Sequence, residues 1–169
     1  MDENLADHVI QLDADLSHAP EALPTMLRLL KTSPVVVGSR YVQGGGTENW
    51  DLRRRLLSRG GNLYARLLTG VPLHDLTAGF MGYQVASLKK CGVENIRSEG
   101  HAFLMEMKYS LHRVGIRMRE FPITFTEREV GDSKFSGRIV LEGMLFPLRI
   151  LLQRIWGAFN TDERRLRPD

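Results

Sequence analysis

The sequence lacks several features that mark large classes of proteins. Among its 169 residues is a single cysteine, Cys91, so no internal disulfide can form, which fits a reducing compartment. The first residues, MDENLADH, are acidic and polar and do not predict a signal peptide. The longest apolar candidate, near residues 139–159, is interrupted by charged side chains such as Glu142 and Arg149. No uninterrupted run therefore reaches the roughly 18 residues of a membrane-spanning helix.

The motifs of several common enzyme classes are also missing. There is no P-loop, no G-x-G-x-x-G and no G-x-S-x-G. The five histidines form no H-x-x-H or H-E-x-x-H pattern, so a histidine-ligated zinc site is not expected. Hydrophobic residues make up 43% and charged residues 25%, which is typical of one globular domain. The net charge of +3 points weakly to anionic partners such as phosphates or a membrane surface, and no motif predicts a nucleic-acid partner.

Strand and helix patterns alternate along the chain. Short apolar runs predict strands at residues 8–12, 34–41, 79–84 and 116–127. Apolar residues at helical spacing predict helices at residues 20–30, 51–69, 85–91, 100–114 and 138–157. The segment VQGGGTENW is expected to be a flexible Gly-rich loop. This alternation predicts an α/β fold with a largely parallel sheet.

Two carboxylates, Asp13 and Asp15, follow the first predicted strand. In a strand, residues i and i+2 point to the same side, so the two acids are expected to aim together into the crevice where α/β folds bind ligands. Two close carboxylates repel unless a cation lies between them, and a hard divalent cation such as Mg²⁺ or Mn²⁺ suits oxygen ligands. A turn with a helix N-cap, where Asp is common, explains the same residues, and both interpretations remain open.

The segment DADLS also resembles the nucleophile motif of haloacid-dehalogenase-type phosphatases, in which the first Asp attacks phosphorus. That family carries Thr or Val where Ser17 stands, and it needs a later GDxxxD element. Here GDSKFSG places Ser136 where the second acid of that element belongs. The phosphatase interpretation is therefore disfavoured.

Cations and small residues suggest phosphate binding elsewhere in the chain. Arg40, at the end of the second strand, can reach a phosphate in a bidentate manner from the same sheet edge as the aspartates. Arg54, Ser58 and Asn62 recur every four residues with Gly61 beside them, which makes an open polar stripe suited to a phosphate monoester. An exposed helix face explains that stripe equally well.

Two further segments carry candidate ligand contacts. HDLTAGF is a predicted turn with an acid, a hydroxyl and Gly79, which allows close backbone approach to a ligand. TEREVGDSK places Arg128 and Lys134 in a charged loop, and such loops are usually solvated.

These segments together resemble a known family. DADLSHAPEALP, VVVGSRYVQGG, NW, RRRLLSRGGN, DLTAGF, EFPITFTEREVGDSK and GRIVLEG occur in the order found in polyprenol-phosphate mannosyltransferases. This is the dolichol-phosphate mannose synthase type of family 2 glycosyltransferase, with a GT-A fold. The resemblance runs from about residue 7 to residue 150. It implies a partial GT-A domain over residues 1–158, including an amphipathic final helix at 138–157, and a flexible tail over 159–169.

The resemblance implies a role for each matching residue. Asp13 and Asp15 match the D-x-D that holds Mg²⁺ or Mn²⁺, and Ser17 stands where some members have a metal-contacting Gln. The implied donor or acceptor phosphate contacts are Arg40, Arg54, Ser58, Thr77, Gly79, Arg128 and Lys134. The residues implied in catalysis itself are Asp13, Asp15, Arg54 and Ser58.

The implied reaction moves mannose from GDP-mannose to a polyprenyl (dolichyl) phosphate with inversion. A phosphate monoester is largely ionised near neutral pH, so no strong general base is required. Alternatives left open are transfer of glucose or another sugar, and a catalytically dead regulatory or binding homologue. The resemblance also implies a cytoplasmic protein, peripheral on the cytoplasmic face of a membrane, with a possible membrane-anchor partner or homo-oligomer.

The final helix has two interpretations, packing on the core or docking at a membrane interface with Trp156 at headgroup level. Members of the family carry a further nucleotide-binding segment before the D-x-D, whereas only twelve residues precede it here. We therefore expect this 169-residue chain alone to bind GDP-mannose poorly, to be inactive or nearly so, and to expose an apolar sheet edge.

Overall fold

The computed structural model describes residues 6–15, 17–126 and 137–165, with the side chains of the last helix described over 141–156. The described strands form a four-stranded sheet in the order β1-β4-β2-β5 and a two-stranded sheet of β3 and β6. The strands are β1 His8–Gln11, β2 Val35–Ser39, β3 Gly46–Glu48, β4 Met81–Gln84, β5 Met118–Pro122 and β6 Thr124–Thr126. The α-helices are α1 Leu23–Leu30, α2 Leu52–Thr69, α3 Val85–Cys91, α4 Gly100–Arg113 and α5 Gly137–Arg165.

The main sheet corrects the expectation of largely parallel pairing. β4 lies between β1 and β2 and runs antiparallel to both, and only β2 and β5 pair in parallel. β4 is followed directly by α3, and nothing in the residues of β4 indicates the direction in which it runs. β1, β2 and β5 still share one direction. Their carboxyl ends therefore meet at one edge of the sheet, as the sequence predicted.

The core lies on both faces of β2. Val35 and Val37 pack into a cluster with α3, α4 and α5, while Val36 packs into a second cluster with Met26 and Leu30 of α1. All three valines are fully buried. A continuous apolar run is what a strand covered on both faces requires, and this is why PVVVGS is readable as a strand.

The long strand predicted at residues 116–127 is two strands in two sheets. β5 pairs with β2 and ends at Pro122. After Ile123 the chain continues as β6, which pairs in parallel with β3. The break falls where the apolar alternation shifts phase and Pro122 removes an amide donor. β3 lies inside the segment predicted to be a Gly-rich loop, so that prediction is wrong over Gly46–Glu48.

The last helix continues beyond its predicted end. α5 spans Gly137–Arg165, whereas the sequence predicted 138–157. No glycine or proline stands between Ala158 and Arg167, so the chain offers no helix breaker there. The predicted boundary at 157 is therefore wrong. Across the described part of the chain, none of the helices is both long and apolar enough to cross a membrane.

Gly38 in β2 gives a test of how tightly the core is packed. A Cβ at this position would lie 2.8 Å from Phe80 Cδ1 and 3.1 Å from Ile123 Cγ2. We expect Gly38→Ala to destabilise the protein by about 1–3 kcal/mol through overpacking. Gly60→Ala on α2 is the matched control, since nothing lies within 4 Å of its Cβ. That change should instead stabilise by about 0.5–1 kcal/mol. Urea unfolding measures both, and equal effects would contradict the packing.

Candidate active site

Asp13 and Asp15 lie beyond the end of β1, in a turn rather than in the strand. Asp15 Oδ1 accepts hydrogen bonds from the backbone N–H of Ser17 (3.1 Å) and from its hydroxyl (2.5 Å). The alternation of strand side chains therefore does not orient the pair, and the turn interpretation describes Asp15. Ser17, which was implied as a metal contact, is buried with its hydroxyl directed to Asp15.

The carboxylate of Asp13 lies against Gly79, the residue two positions before the start of β4. A Cβ at Gly79 would lie 3.0 Å from Asp13 Oδ1. Any larger residue at position 79 would push the carboxylate away. The structure thus brings together two residues that the sequence had assigned to separate segments.

His18 anchors the same turn, and sequence reasoning missed it. Its ring stacks on Phe80 at 5.1 Å and meets Phe125 edge-on at 5.5 Å, and its Nδ1 accepts the Asp13 N–H at 3.4 Å. Burial lowers the pKa of His18, against the opposing effect of Asp13 and Asp15. A lowered pKa favours the neutral imidazole, which can accept this hydrogen bond.

Arg40 forms a buried, bidentate ion pair with Asp75. Its Nε and Nη2 donate to the two carboxylate oxygens at 2.7 Å each, and its own backbone N–H donates to Asp75 Oδ2 at 3.1 Å. Burial alone would lower the pKa of Arg40 and raise that of Asp75, but their mutual contacts reverse both shifts. Both groups are therefore ionised at neutral pH, and most of the Arg40 guanidinium is committed within the protein.

The Asp75 carboxylate also lies close to the Thr77 hydroxyl, which the sequence analysis implied as a phosphate contact. Thr77 Oγ1 lies 2.8 Å from Arg40 Nη2, 3.1 Å from Asn62 Nδ2 and 3.3 Å from Asp75 Oδ1. Asn62 is itself buried and its Oδ1 accepts the N–H groups of Leu76 and Thr77. Asn62, the most buried residue of the predicted polar stripe, therefore binds backbone groups of the protein itself.

Residues 74–78, which we call the 74–78 turn, are held from several sides. Glu120 accepts the N–H groups of His74 and Asp75 at 2.9–3.0 Å. Lys108 Nζ donates to the carbonyls of Leu76 at 3.0 Å and Ala78 at 2.8 Å. With Asn62 accepting the N–H groups of Leu76 and Thr77, side chains bind six backbone polar groups of the turn.

Lys108 is fully buried, which the sequence gave no reason to expect. Burial lowers its pKa to about 7, opposed by the nearby Asp75 carboxylate. Its pattern in the sequence was that of a polar residue on an amphipathic helix. Only the position of the 74–78 turn above α4 reveals that the amine is a structural donor.

Arg54 and Ser58 join this region through aromatic side chains. The Arg54 guanidinium lies 4.3 Å from the Trp50 ring, which in turn is 5.6 Å from Arg40. The Tyr41 hydroxyl and Ser58 Oγ are 2.6 Å apart. Trp50 is buried, and its Nε1–H has no acceptor within the described part of the chain. A buried donor of this kind beside two arginines is suited to an anionic ligand.

The predicted residues thus fall into one region with two parts. Asp13 binds His18 through its backbone N–H and lies against Gly79 through its carboxylate, and Gly79 follows the turn that holds the Arg40–Asp75 pair. Arg54 and Ser58 lie beside it on α2. Arg128 and Lys134 lie outside the described residues, and their predicted roles stay predictions.

Comparisons with known proteins show the family of this chain. The sequence model of the family described as "Glycosyl transferase family 2" matches residues 5–92, about half of the chain, including both aspartates and the 74–78 turn. The chain belongs to glycosyl transferase family 2. The mixed α/β architecture with a central sheet is consistent with the GT-A fold expected from the motifs.

Two curated relatives carry more specific names. The chain is 41% identical over 155 residues to "Undecaprenyl-phosphate mannosyltransferase" of Micrococcus luteus, covering 92% of this chain and 64% of the relative. It is 42% identical over 137 residues to "Polyprenol monophosphomannose synthase" of Mycolicibacterium smegmatis, covering 80% of this chain and 52% of the relative. The resemblance to polyprenol-phosphate mannosyltransferases is confirmed. The chain spans about half to two thirds of the length of these relatives.

The Arg40–Asp75 pair predicts a large and specific loss of stability. Asp75→Asn should destabilise the protein by about 3–5 kcal/mol, because it leaves a buried guanidinium without its countercharge. Asp51→Asn is the matched control, since Asp51 is an exposed N-cap of α2 and Asn caps helices equally well. Urea unfolding with both variants checks this, and similar stabilities would contradict the buried pair.

Lys108 predicts a pH dependence with a definite sign. Its pKa is about 7 in the folded protein against 10.5 as the ordinary value, so between these pH values the unfolded chain binds one more proton. Stability contributed by this group therefore rises with pH from about 7 towards 10. Urea unfolding across this range should show wild type gaining stability relative to Lys108→Met. The exposed Lys90→Met control should keep the wild-type slope, and parallel curves for wild type and Lys108→Met would contradict the assignment.

Proposed function

We propose that this protein acts in the transfer of mannose from GDP-mannose to a polyprenyl phosphate, with inversion, using Mg²⁺ or Mn²⁺. The observation that carries the proposal is the sheet edge where the Asp13 carboxylate lies against Gly79, directly after the turn that holds the buried Arg40–Asp75 pair. The names of the two relatives support the same chemistry.

The acidic half of the site suits a divalent cation. No cluster of three or more His, Cys, Asp or Glu occurs among the described residues, so a site built from protein ligands alone is not supported there. Asp13 and Asp15 offer hard carboxylate oxygens, whereas the buried Ser17 hydroxyl already donates to Asp15. Magnesium sites often combine one or two carboxylates with substrate phosphates, so these residues fit a cation shared with a diphosphate. When bound, such an ion would neutralise charge on the departing diphosphate.

The basic half suits an acceptor phosphate. Arg54 lies half-exposed over the Trp50 ring, Ser58 Oγ lies against Tyr41, and the Trp50 Nε1–H is a buried donor without an acceptor among the described residues. The Asp75 pair and the Thr77 contact hold the Arg40 guanidinium in one orientation, which limits the reorganisation needed when an anion arrives. These groups would bind and orient the phosphate oxygen that attacks the sugar. Because that oxygen is already ionised, no protein base is needed.

A lipid acceptor is reached at a membrane surface. α5 exposes Leu141, Leu145, Leu148, Leu152 and Trp156, although Phe146 and Ile150 on its other side belong to the core. The buried side of the helix packs on the core, and its exposed apolar side supports the membrane-docking interpretation. We propose peripheral docking at the cytoplasmic face, where sugar nucleotides are available.

The proposed function is tested by binding and by transfer. Mn²⁺ affinity in the presence of GDP-mannose, followed by electron paramagnetic resonance, should fall at least about tenfold in Asp13→Asn/Asp15→Asn, because even changes around metal ligands cost about 10–100-fold. Asp7→Asn, an exposed acid outside the site, is the matched control. In an assay with polyprenyl phosphate in detergent, we expect this chain alone to transfer little label to the organic phase, and the label that it does transfer should come from GDP-mannose.

Three outcomes would contradict parts of this proposal. Unchanged Mn²⁺ affinity in the double variant would remove the metal role of the aspartates. Preferential transfer from UDP-glucose would replace mannose by another sugar. Robust transfer by this chain alone would contradict the expectation that it is inactive or nearly so.

A further inference from the structure

Phe125 is a large apolar residue that the core does not use. Phe121, Ile123 and Phe125 form one alternating apolar row along the segment from β5 to β6. The first two belong to the core cluster that Val36 forms with α1. Phe125 belongs to neither core cluster of the described residues and is only half-buried. Its ring is therefore held by other contacts.

The Phe125 ring contacts the aromatic side chains that border the two halves of the site. It meets the His18 ring edge-on, with 5.5 Å between the ring centroids and 78° between the ring planes. It meets the Trp50 ring in the same way, at 5.7 Å and 69°. Both are edge-to-face pairs within the favourable centroid range of about 4.5–7 Å. One phenyl ring thus connects the turn that carries the acids with the basic half.

The backbone of Phe125 makes a similar connection. β6 pairs with β3, and Phe125 also forms an isolated antiparallel bridge with His18. Beside that bridge, the Thr126 N–H donates to the Ser17 carbonyl at 3.3 Å. Trp50 follows the end of β3 by two residues. β6 is therefore hydrogen-bonded both to the turn that carries the acids and to the strand that leads to Trp50.

Each aromatic partner of the phenyl ring is in turn in contact with a charged residue of the site. His18 Nδ1 accepts the N–H of Asp13 at 3.4 Å. The Arg54 guanidinium lies 4.3 Å from the centroid of the Trp50 ring. The guanidinium carbon of Arg40 lies 5.6 Å from the centroid of the phenyl ring itself. The ring therefore contributes to the placement of one aspartate and two arginines.

We propose that Phe125 is a positioning residue that holds the two halves of the site in one arrangement, so that a cation at the acids and a phosphate at the basic half bind cooperatively. Packed side chains are hardly compressible, so a displacement of one ring partner is transmitted to the other. A ligand at one half orders the shared ring, and the second ligand then loses less conformational entropy on binding. The inference deepens the proposed function and rests on it for the identity of the two ligands.

The cooperation is measured as a coupling factor. Electron paramagnetic resonance gives the Mn²⁺ affinity with and without farnesyl phosphate, a short polyprenyl phosphate, after correction for Mn²⁺ bound by the lipid itself. Farnesyl phosphate should raise the Mn²⁺ affinity of the wild type at least about fivefold. In Phe125→Leu this factor should fall at least about threefold. Direct attraction between Mn²⁺ and the phosphate acts in both proteins, so the difference reports the ring. Phe125→Tyr keeps the ring and should keep the factor.

Phe103→Leu is the matched control for the loss of a phenyl ring. Phe103 is also half-buried, but it packs against the core cluster on the other face of β2. This variant should keep the wild-type coupling factor, and thermal melting confirms that each variant is folded. An equal fall of the factor in Phe103→Leu and Phe125→Leu would assign the effect to general stability and overturn the proposal.

A second measurement needs no ligand. The indole N–H of Trp50 gives its own proton–nitrogen correlation signal in NMR, and Trp156→Phe assigns it because the chain has two tryptophans. His18→Asn should shift the Trp50 signal relative to the wild type. The same change made in Phe125→Leu should leave the signal of that variant in place, because the ring that connects the two residues is gone.

The possible failures are distinguishable. Equal coupling factors in wild type and Phe125→Leu, or no coupling in a wild type that binds both ligands, would overturn the proposal. A Trp50 signal that His18→Asn leaves unmoved, or moves equally with and without Phe125, would overturn it as well. A wild type that binds no Mn²⁺ would refute the proposed metal role instead, and the Trp50 signal alone would then decide whether Phe125 positions the two halves.

Discussion

The buried ion pair between Arg40 and Asp75 is the contact on which the rest of the site depends. Both groups lie in the interior, and each is tolerated there only because the other is present. The pair fixes the end of β2 against the 74–78 turn, and the turn in turn positions Gly79 beneath Asp13. An interaction that is internal to the fold therefore sets the distance between the acidic and basic halves of the site.

The 74–78 turn has an unusual density of side-chain contacts to backbone. Asn62, Lys108 and Glu120 come from α2, α4 and β5, and each binds two or more of its backbone groups. A loop held in this way is rigid without being part of a sheet or helix. Rigid placement suits a site whose work is to hold charged groups in position rather than to supply a proton-transfer residue.

Sequence reasoning found what periodicity and local motifs encode. Four of the predicted helices, the buried run of β2 and the carboxylate pair could be read from neighbouring residues. The direction of β4 and the roles of Asp75, Lys108 and Glu120 could not, because their partners lie 30 or more residues away along the chain. Lys108 illustrates the difficulty, since a lysine on an amphipathic helix looks solvated until the turn that covers it is known.

The antiparallel β4 acts as a spacer. Because it lies between β1 and β2, the ends of those two strands are separated by two strand spacings, about 10 Å. The acids follow one of these ends, Arg40 follows the other, and Gly79 enters β4 between them. A parallel neighbour in that place would send its own carboxyl end and loop into the gap, whereas β4 begins there and carries its chain away. The strand order therefore keeps the two aspartates and Arg40 about two strand spacings apart, with Gly79 between them.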